Sequence, residues 1–321
     1  MPKCLAFKHA ACIGLTGHVR PCCAWRGSAS TGLTITDDWQ SVHNKYYEES
    51  LHDWLPECKE CQQDEESNGK SYRMTMNRNL KDSTGIELWD LKINNTCNLT
   101  CVSCSSYSSS SWSIITGRKE YQIGWHKEIE KIYAQLQGAK IIKFTGGEPF
   151  MIPQVKKIIK YLIDTDVSST IELQFITNGT IDIKSYYTLF ECFKKIDVIA
   201  SIDAIGERFE YLRRGAIWEQ VSNNIIDIHK NSPDNTIVSI TCLPSALNIN
   251  NIHEVEDWAT SYDIRFHRAS DLITPTYMTP SALDDQDNKQ QLIDHVMILD
   301  DIDGKDHTKW INTNENFKDI E

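Results

Sequence analysis

The chain lacks several features that would assign it to a familiar class. No apolar run in its 321 residues approaches 18 residues, which excludes a spanning helix of ordinary length. Met1-Pro2-Lys3-Cys4 opens the chain without the apolar core of a secretory signal, so the expected location is the cytoplasm. Cations are scarce: 33 Lys+Arg stand against 45 Asp+Glu, a formal net charge of -12. That balance leaves no excess of cations to neutralise a run of phosphates, and it argues against extended nucleic-acid binding. No Gly-x-Gly-x-x-Gly follows the first expected strand, which disfavours a dinucleotide-binding enzyme. With 40% hydrophobic and 24% charged residues, the chain has the composition of a globular protein and the length of one large domain or two ordinary ones.

Cysteine is abundant. Nine of the eleven fall in the first 104 residues: Cys4, Cys12, Cys22, Cys23, Cys58, Cys61, Cys97, Cys101 and Cys104. Without an export signal, so many thiols are a poor fit to disulfides and a better fit to a metal or a cluster. Cys192 and Cys242 stand among apolar neighbours and read as small core residues. The densest group, Cys97-Asn98-Leu99-Thr100-Cys101-Val102-Ser103-Cys104, offers three thiols and no nearby His. Structural zinc takes four ligands. Three thiolates on one loop suit a four-iron cluster in which one iron lacks a protein ligand, and an open coordination position marks a catalytic site.

This Cys-x3-Cys-x2-Cys spacing, directly after the apolar stretch Ile86–Ile93, resembles the signature of the radical S-adenosylmethionine (SAM) superfamily. Thr145-Gly146-Gly147-Glu148-Pro149 resembles that family's GGEP motif, and Thr177-Asn178-Gly179, Ser201-Ile202-Asp203, Arg213-Arg214-Gly215 and Trp218 follow in the family's order. The resemblance covers residues 86 to 280. It implies a [4Fe-4S] cluster whose open iron binds the methionine part of SAM. One electron from the cluster then splits the S–C5′ bond, and the resulting 5′-deoxyadenosyl radical removes a hydrogen atom from a substrate.

Periodicity from Ile86 onward alternates short apolar runs with amphipathic stretches. Strands are expected at 86–93, 140–145, 170–177, 196–202, 236–242 and 264–267, with helices near 122–137, 152–164, 182–194, 216–230 and 250–261. The apolar strands suggest a parallel sheet covered on both faces. Six strand–helix units fall short of the eight of a closed barrel, so the expected fold is α/β, a partial (β/α)6 barrel. Both motif loops would then follow strand C-termini, where such folds gather their active sites.

Residues 1–85 differ in texture, and Thr16-Gly17-His18 reads as a turn between two short strands. The order Cys4, Cys12, Pro21-Cys22-Cys23 and Cys58-x2-Cys61 resembles the twitch or SPASM auxiliary-cluster modules of radical SAM enzymes, here placed ahead of the barrel. Cys4, His9, Glu65, Ser71 and Arg73 match that group, while Gly69 sits one place late. The expected organisation is an auxiliary module at 1–85, a partial barrel at 86–280 and an acidic, solvated extension at 281–321.

Carried over residue by residue, the resemblance assigns Cys97, Cys101 and Cys104 to the catalytic cluster and Gly146, Gly147, Glu148 and Pro149 to the methionine amino group. Ser201 and Arg214 are candidates for the methionine carboxylate. Arg213 competes with Arg214, one of the two being a surface charge, and Asn178 and Asp203 are candidates for the ribose or the pocket's polar network. Tyr107, Trp112 and the run Ser105–Ser111 read as a flexible polar loop. Cys58 and Cys61, with Cys4 and one of Cys22 or Cys23, would hold an auxiliary Fe-S cluster, expected to be [4Fe-4S], with tetrahedral zinc the rival. Cys12 reads as buried in a strand.

The first functional reading is a radical SAM enzyme acting on a peptide or protein side chain, with an electron donor such as flavodoxin or ferredoxin and no membrane partner. Alternatives are an enzyme acting on a small molecule or nucleotide, and a noncatalytic metal-binding interaction protein. The last would have no need of the Gly146–Pro149 loop.

Overall fold

The computed structural model describes residues 3–26, 33–118, 124, 125, 127–272 and 275–303. Its strands are β1 (Ala10–Ile13), β2 (Val19–Arg20), β3 (Leu88–Leu91), β4 (Ile141–Phe144), β5 (Glu172–Thr177), β6 (Lys195–Ser201), β7 (Thr236–Cys242) and β8 (Arg265–Arg268). Its helices are α1 (Ala6–His9), α2 (Trp39–Ser50), α3 (Lys59–Asn68), α4 (Tyr72–Asn79), α5 (Ser110–Ile115), α6 (Tyr133–Leu136), α7 (Pro153–Asp164), α8 (Tyr187–Phe190), α9 (Gly206–Leu212), α10 (Trp218–Asn231), α11 (Ile252–Ser261) and α12 (Gln286–Asp303). All six strands expected after residue 86 are present, each within two residues of its expected start. No helix among the described residues is long and apolar enough to cross a membrane.

The chain divides into two compact units. The first comprises Met1–Asn95, Ile123–Phe175 and Thr188–Ile196. Its sheet has the order β2-β1-β3-β4-β5. The β1–β2 pair is antiparallel, and Gly17, at φ 80°, makes the expected turn by donating to the Gly14 carbonyl at 2.9 Å. From β1 onward the pairing is parallel, with Ala10 opposite Leu88, Leu88 opposite Ile141 and Ile141 opposite Glu172. The expected N-terminal segment thus contributes a strand to the same sheet as β3.

Helix α7 starts at Pro153, whose fixed φ suits a first helical position, and buries Val155, Ile158, Ile159 and Leu162 as the three- and four-residue spacing requires. Phe175 of β5 lies stacked at 5.2 Å from Phe144 and 4.8 Å from Phe150. Burial alternates along β4, β5 and β6, so the expectation of strands covered on both faces fails there. Polar side chains explain it: Lys143, Gln174 and Asp197 stand on the half-exposed face, where a dry contact would strip their hydration.

Two expected helices are short. The 122–137 span begins outside the described residues. From Gly124 it bridges to Asn94, with Trp125 donating its backbone N–H to Ile93 O at 3.1 Å and its ring Nε1–H to Lys92 O at 2.9 Å. Helical structure starts only with a 3-10 turn at Ile129–Ile132. The 182–194 span keeps a 3-10 turn, Lys184–Tyr186, and the four residues of α8. Tyr, Thr and Phe dominate there, and these are weak helix formers.

Glu87, just ahead of β3, ties the first unit together. Its carboxylate takes Lys140 Nζ at 2.6 Å and Thr84 N–H at 3.1 Å, and its carbonyl accepts the N–H groups of Lys140 and Ile141. Burial would raise its pKa, but the bonds from Lys140, Ser83 and Thr84 outweigh this and hold it down at about 2. A carboxyl group depressed on folding stabilises fully above its unfolded pKa, and that contribution fades as pH falls toward the folded value. Glu87→Gln is therefore expected to cost about 1–2 kcal/mol near neutral pH, allowing for screening at the exposed Lys140, and to cost little at pH 2. Denaturant melts of both proteins at pH 7, 4 and 2 check this. Equal losses at all three would refute it.

The second unit comprises Thr96–Gln122, Ile176–Tyr187 and Asp197–Glu321. Its strands are ordered β6-β7-β8, with Ser239 opposite Arg265 in a parallel pair. Helix α10 buries Val221, Ser222, Ile225 and Ile228, and Trp218 meets Phe209 and Trp258 edge-on at 5.1 Å. The segment expected to be a solvated extension contains the 18-residue α12, whose Leu292 is fully buried. Its His295 ring nitrogen lies 3.4 Å from Val102 O. Acidic surface positions hid Leu292, an apolar anchor by which the helix docks. The stretch 304–321 lies outside the described residues.

Candidate functional site

In the second unit the cysteine loop is held by polar contacts on three sides. Thr100 N–H donates to Arg214 O and Val102 N–H to Leu212 O, both at 2.9 Å. Gly215, at φ 96°, comes so close that a Cβ there would lie 3.4 Å from Asn98 O and from Leu99 Cδ2. Asn178, buried, donates its amide to Asn98 Oδ1 at 3.0 Å and approaches Cys97 Sγ at 3.8 Å, while its Oδ1 accepts from Thr180.

The serine run forms the third side, and here the reading of a flexible loop is wrong. Ser109 caps α5 and donates to Leu99 O at 2.7 Å, Ser111 donates to Cys97 O at 2.7 Å, and Trp112 Nε1–H donates to Cys101 O at 3.0 Å. A loop that turns its thiols to one side leaves carbonyls without ladder partners, and these short hydroxyls supply donors. The sequence signal was the serine spacing at the start of a helix.

Burial pushes the Cys101 thiol up to about 12, with Arg213 opposing and Cys104 and Cys97 reinforcing the shift. It pushes Cys104 to about 11. Three thiols that oppose each other's ionisation in this way call for a cationic partner when deprotonated. Arg214 is buried and the Arg213 side chain is only 14% exposed, so neither is a surface charge. Arg213 Nη2 lies 2.7 Å from Asp203 Oδ2, and this pairing makes its burial tolerable. Asp203 Oδ1 accepts Leu243 N–H at 3.0 Å. Ser201 ends β6, half-buried.

In the first unit, Gly146 and Gly147 carry φ of 78° and 23° directly after β4. A Cβ on Gly146 would lie 3.2 Å from Lys92 Cβ and 3.4 Å from Asn94 O, so only glycine lets the backbone pass. Glu148 is fully buried and accepts Phe150 N–H at 3.2 Å, and Pro149 opens a 3-10 turn. Thr145 Oγ1 donates to Asp90 Oδ1 at 2.8 Å.

Also in the first unit, Cys4, Cys22, Cys58 and Cys61 line one apolar hollow of about 20 Å³ with Trp25 and Arg73. Cys58 caps α3 and Cys61 falls three residues on, so both thiols share a helix face. Lys3 O accepts from Arg73 Nη1 and Asn77 Nδ2, each at 2.7 Å, while Asn77 Oδ1 accepts Leu5 N–H. These bonds pin Cys4 at the hollow, and Asn77 carried no sequence signal for the role. Glu65 binds Arg73 and Ser71, and Gly69 is the left-handed cap of α3, which accounts for its position. Cys23 is not among the residues lining the hollow, and its thiol meets Tyr72. Cys12 is buried in β1 and Cys242 in β7, whereas Cys192 is only half-buried.

The sequence pattern described as the Radical SAM superfamily matches residues 91–259, just over half of the chain. The chain belongs to the radical SAM superfamily. The family implies a [4Fe-4S] cluster and SAM. Among solved structures the chain is similar to native anSMEcpe with bound AdoMet at 20% identity and TM-score 0.45, over 58% of this chain and 52% of that one. Similar too is Streptococcus suis SuiB bound to precursor peptide SuiA, at 14% identity and TM-score 0.42, over 81% and 61%. The chain thus spans about half to three fifths of the length of these structures. No curated protein matches it in sequence.

Among the described residues, no three His, Cys, Asp or Glu side chains are gathered closely enough to hold a single metal ion. The donor chemistry of the radical SAM cysteine loop nevertheless fits a cluster: three thiols with carbonyls tied back and a cation nearby to offset thiolate charge. The hollow fits in the number and kind of its donors. Burial raises Cys4 to about 11 and Cys58 to about 12, with Cys61 acting on Cys4, and Cys4 and Cys61 acting on Cys58. Gly215→Ala is expected to cost about 1–2 kcal/mol, from strained φ and crowding of the loop, and to lower the iron retained by Cys97, Cys101 and Cys104. Unchanged denaturation midpoint and iron content would refute this.

Proposed function

We propose that this radical SAM enzyme modifies a peptide or protein side chain. In this reading, 1–85 is an auxiliary-cluster module ahead of the partial barrel at 86–280. Its support is the presence of two separate cysteine sets, a loop of three and a hollow of four, the latter in the order of the twitch and SPASM modules common among peptide-modifying relatives. Cys97, Cys101 and Cys104 hold the catalytic cluster. Cys4, Cys22, Cys58 and Cys61 hold an auxiliary [4Fe-4S] cluster, Cys22 being the member of its pair that lines the hollow.

When bound, the reduced catalytic cluster would supply one electron to the S–C5′ bond of SAM, which would yield methionine and a 5′-deoxyadenosyl radical able to take a hydrogen atom from the substrate. The chain's residues bind and orient. The Gly146–Gly147 backbone, free of Cβ atoms, and the Glu148 carboxylate receive the methionine amino group. Arg214 and Ser201 take its carboxylate. Asn178 braces the cysteine loop through Asn98. A flavodoxin- or ferredoxin-type donor provides the electron.

The test compares peptide, small-molecule and nucleotide pools incubated with SAM, reductant and either active enzyme or the triple Ala variant at Cys97, Cys101 and Cys104. Mass changes in the peptide pool that match the 5′-deoxyadenosine formed are expected. Changes confined to the other pools would reject the peptide reading.

A further inference from the structure

We infer that Arg213 and Asp203 are positioning residues whose opposed charges set the reduction potential of the cluster held by Cys97, Cys101 and Cys104. The inference rests on that loop holding a cluster.

The geometry begins in the backbone. Thr100 N–H bonds Arg214 O and Val102 N–H bonds Leu212 O, both at 2.9 Å. Leu212 ends α9 and Arg213 follows as its C-terminal cap, so the two bonds bracket Arg213 on one segment and Cys101 on the other. Gly215 continues the close approach against Leu99 and Asn98. The segment carrying Arg213 is thus held against the cysteine loop on both sides of Cys101.

The charges are then fixed from the other side. Asp203 Oδ2 holds Arg213 Nη2 at 2.7 Å, with the two side chains 9% and 14% exposed. Asp203 is itself immobilised: Oδ1 accepts Leu243 N–H at 3.0 Å and its carbonyl accepts Asn248 Nδ2 at 2.8 Å. Arg213 Nε is buried without a hydrogen-bond partner among the described residues, which leaves one N–H of the fork for a further acceptor. Cluster sulfide and cysteine thiolate are such acceptors. A guanidinium is always protonated in proteins, and its ion pair with Asp203 keeps it fixed.

A buried cation stabilises whichever oxidation state is more negative, and for a cluster that is the reduced one; a buried anion does the opposite. Arg213 eases reduction and Asp203 tempers it.

The experiment is an EPR-monitored potential titration of the reconstituted protein without SAM, so that no carboxylate ligand competes for the arginine. Arg213→Gln is expected to make reduction about tenfold less favourable, a shift of about 59 mV to lower potential for one electron. Asp203→Asn is expected to move it by a similar factor to higher potential, and Arg213→Lys to stay near the wild-type value. The double variant Arg213→Gln/Asp203→Asn leaves no unpaired buried charge and is expected to return close to wild type, which keeps the test valid if Arg213→Gln alone folds poorly. A purely structural pair would not give opposite signs. Unmoved potentials, or shifts of one sign, in a protein that does assemble the loop's cluster would overturn this inference alone. A wild-type protein with no cluster at that loop would overturn the inference together with the reading beneath it.

Discussion

Replacing Cys97, Cys101 and Cys104 together by Ala is expected to reduce 5′-deoxyadenosine formation from SAM to background. The three thiols sit within eight residues on one loop, where the carbonyls of Leu99, Cys97 and Cys101 are tied down by Ser109, Ser111 and Trp112. No other Cys belongs to this loop, and Cys242 of the same unit is buried in β7 against Asp203 O. Ala removes the sulfur without touching the serine clamps or the bonds from Thr100 and Val102, which are made by the backbone. The apo fold should therefore survive, with a circular dichroism spectrum and melting midpoint close to those of apo wild type. The measurement is anaerobic reconstitution with SAM and a strong reductant, followed by chromatography of the nucleoside product. Full cleavage by a folded triple variant would discard the assignment of these ligands.

The Cys58→Ala/Cys61→Ala variant is expected to lose about half of the bound iron while still cleaving SAM. Two four-iron clusters amount to about eight irons per chain, and loss of one leaves about four. Cys58 and Cys61 share one helix face at the hollow, and removing both leaves Cys4 and Cys22 as an incomplete set. The hollow shares no lining residue with the loop of Cys97, Cys101 and Cys104 or with Gly146–Pro149, so uncoupled SAM cleavage should persist while substrate conversion fails. Iron analysis, zinc analysis and the two activity readouts separate the outcomes. Unchanged iron in the double variant, or one zinc per wild-type chain, would reject an auxiliary iron–sulfur site.

Much of the site was legible because its chemistry depends on short local spacings. Cys97, Cys101 and Cys104 belong to one loop, Gly146 and Gly147 need only their missing Cβ atoms, and Cys58 and Cys61 need one helical turn. What was misread depended on partners far along the chain. The serines after Cys104 looked mobile because hydroxyls suit exposed loops, yet their acceptors are carbonyls about ten residues back. Arg213 and Arg214 were inseparable as neighbours, and only Asp203, ten residues upstream of Arg213, shows that a buried partner was waiting. The tail beyond Ser281 read as solvent-facing because one buried Leu292 does not alter a composition.

By itself, the sequence determined the order of strands and helices from 86 onward, the thiol loop, the glycine passage and the family. Each follows from side-chain periodicity or from covalent spacing over a few residues, which no distant contact can change. The tertiary structure decided which member of Cys22-Cys23 meets Cys4, which arginine takes Asp203, and what holds the cysteine loop in place. Those are choices between chemically equal neighbours, and only a buried partner brought in from elsewhere in the chain makes one of them lower in energy.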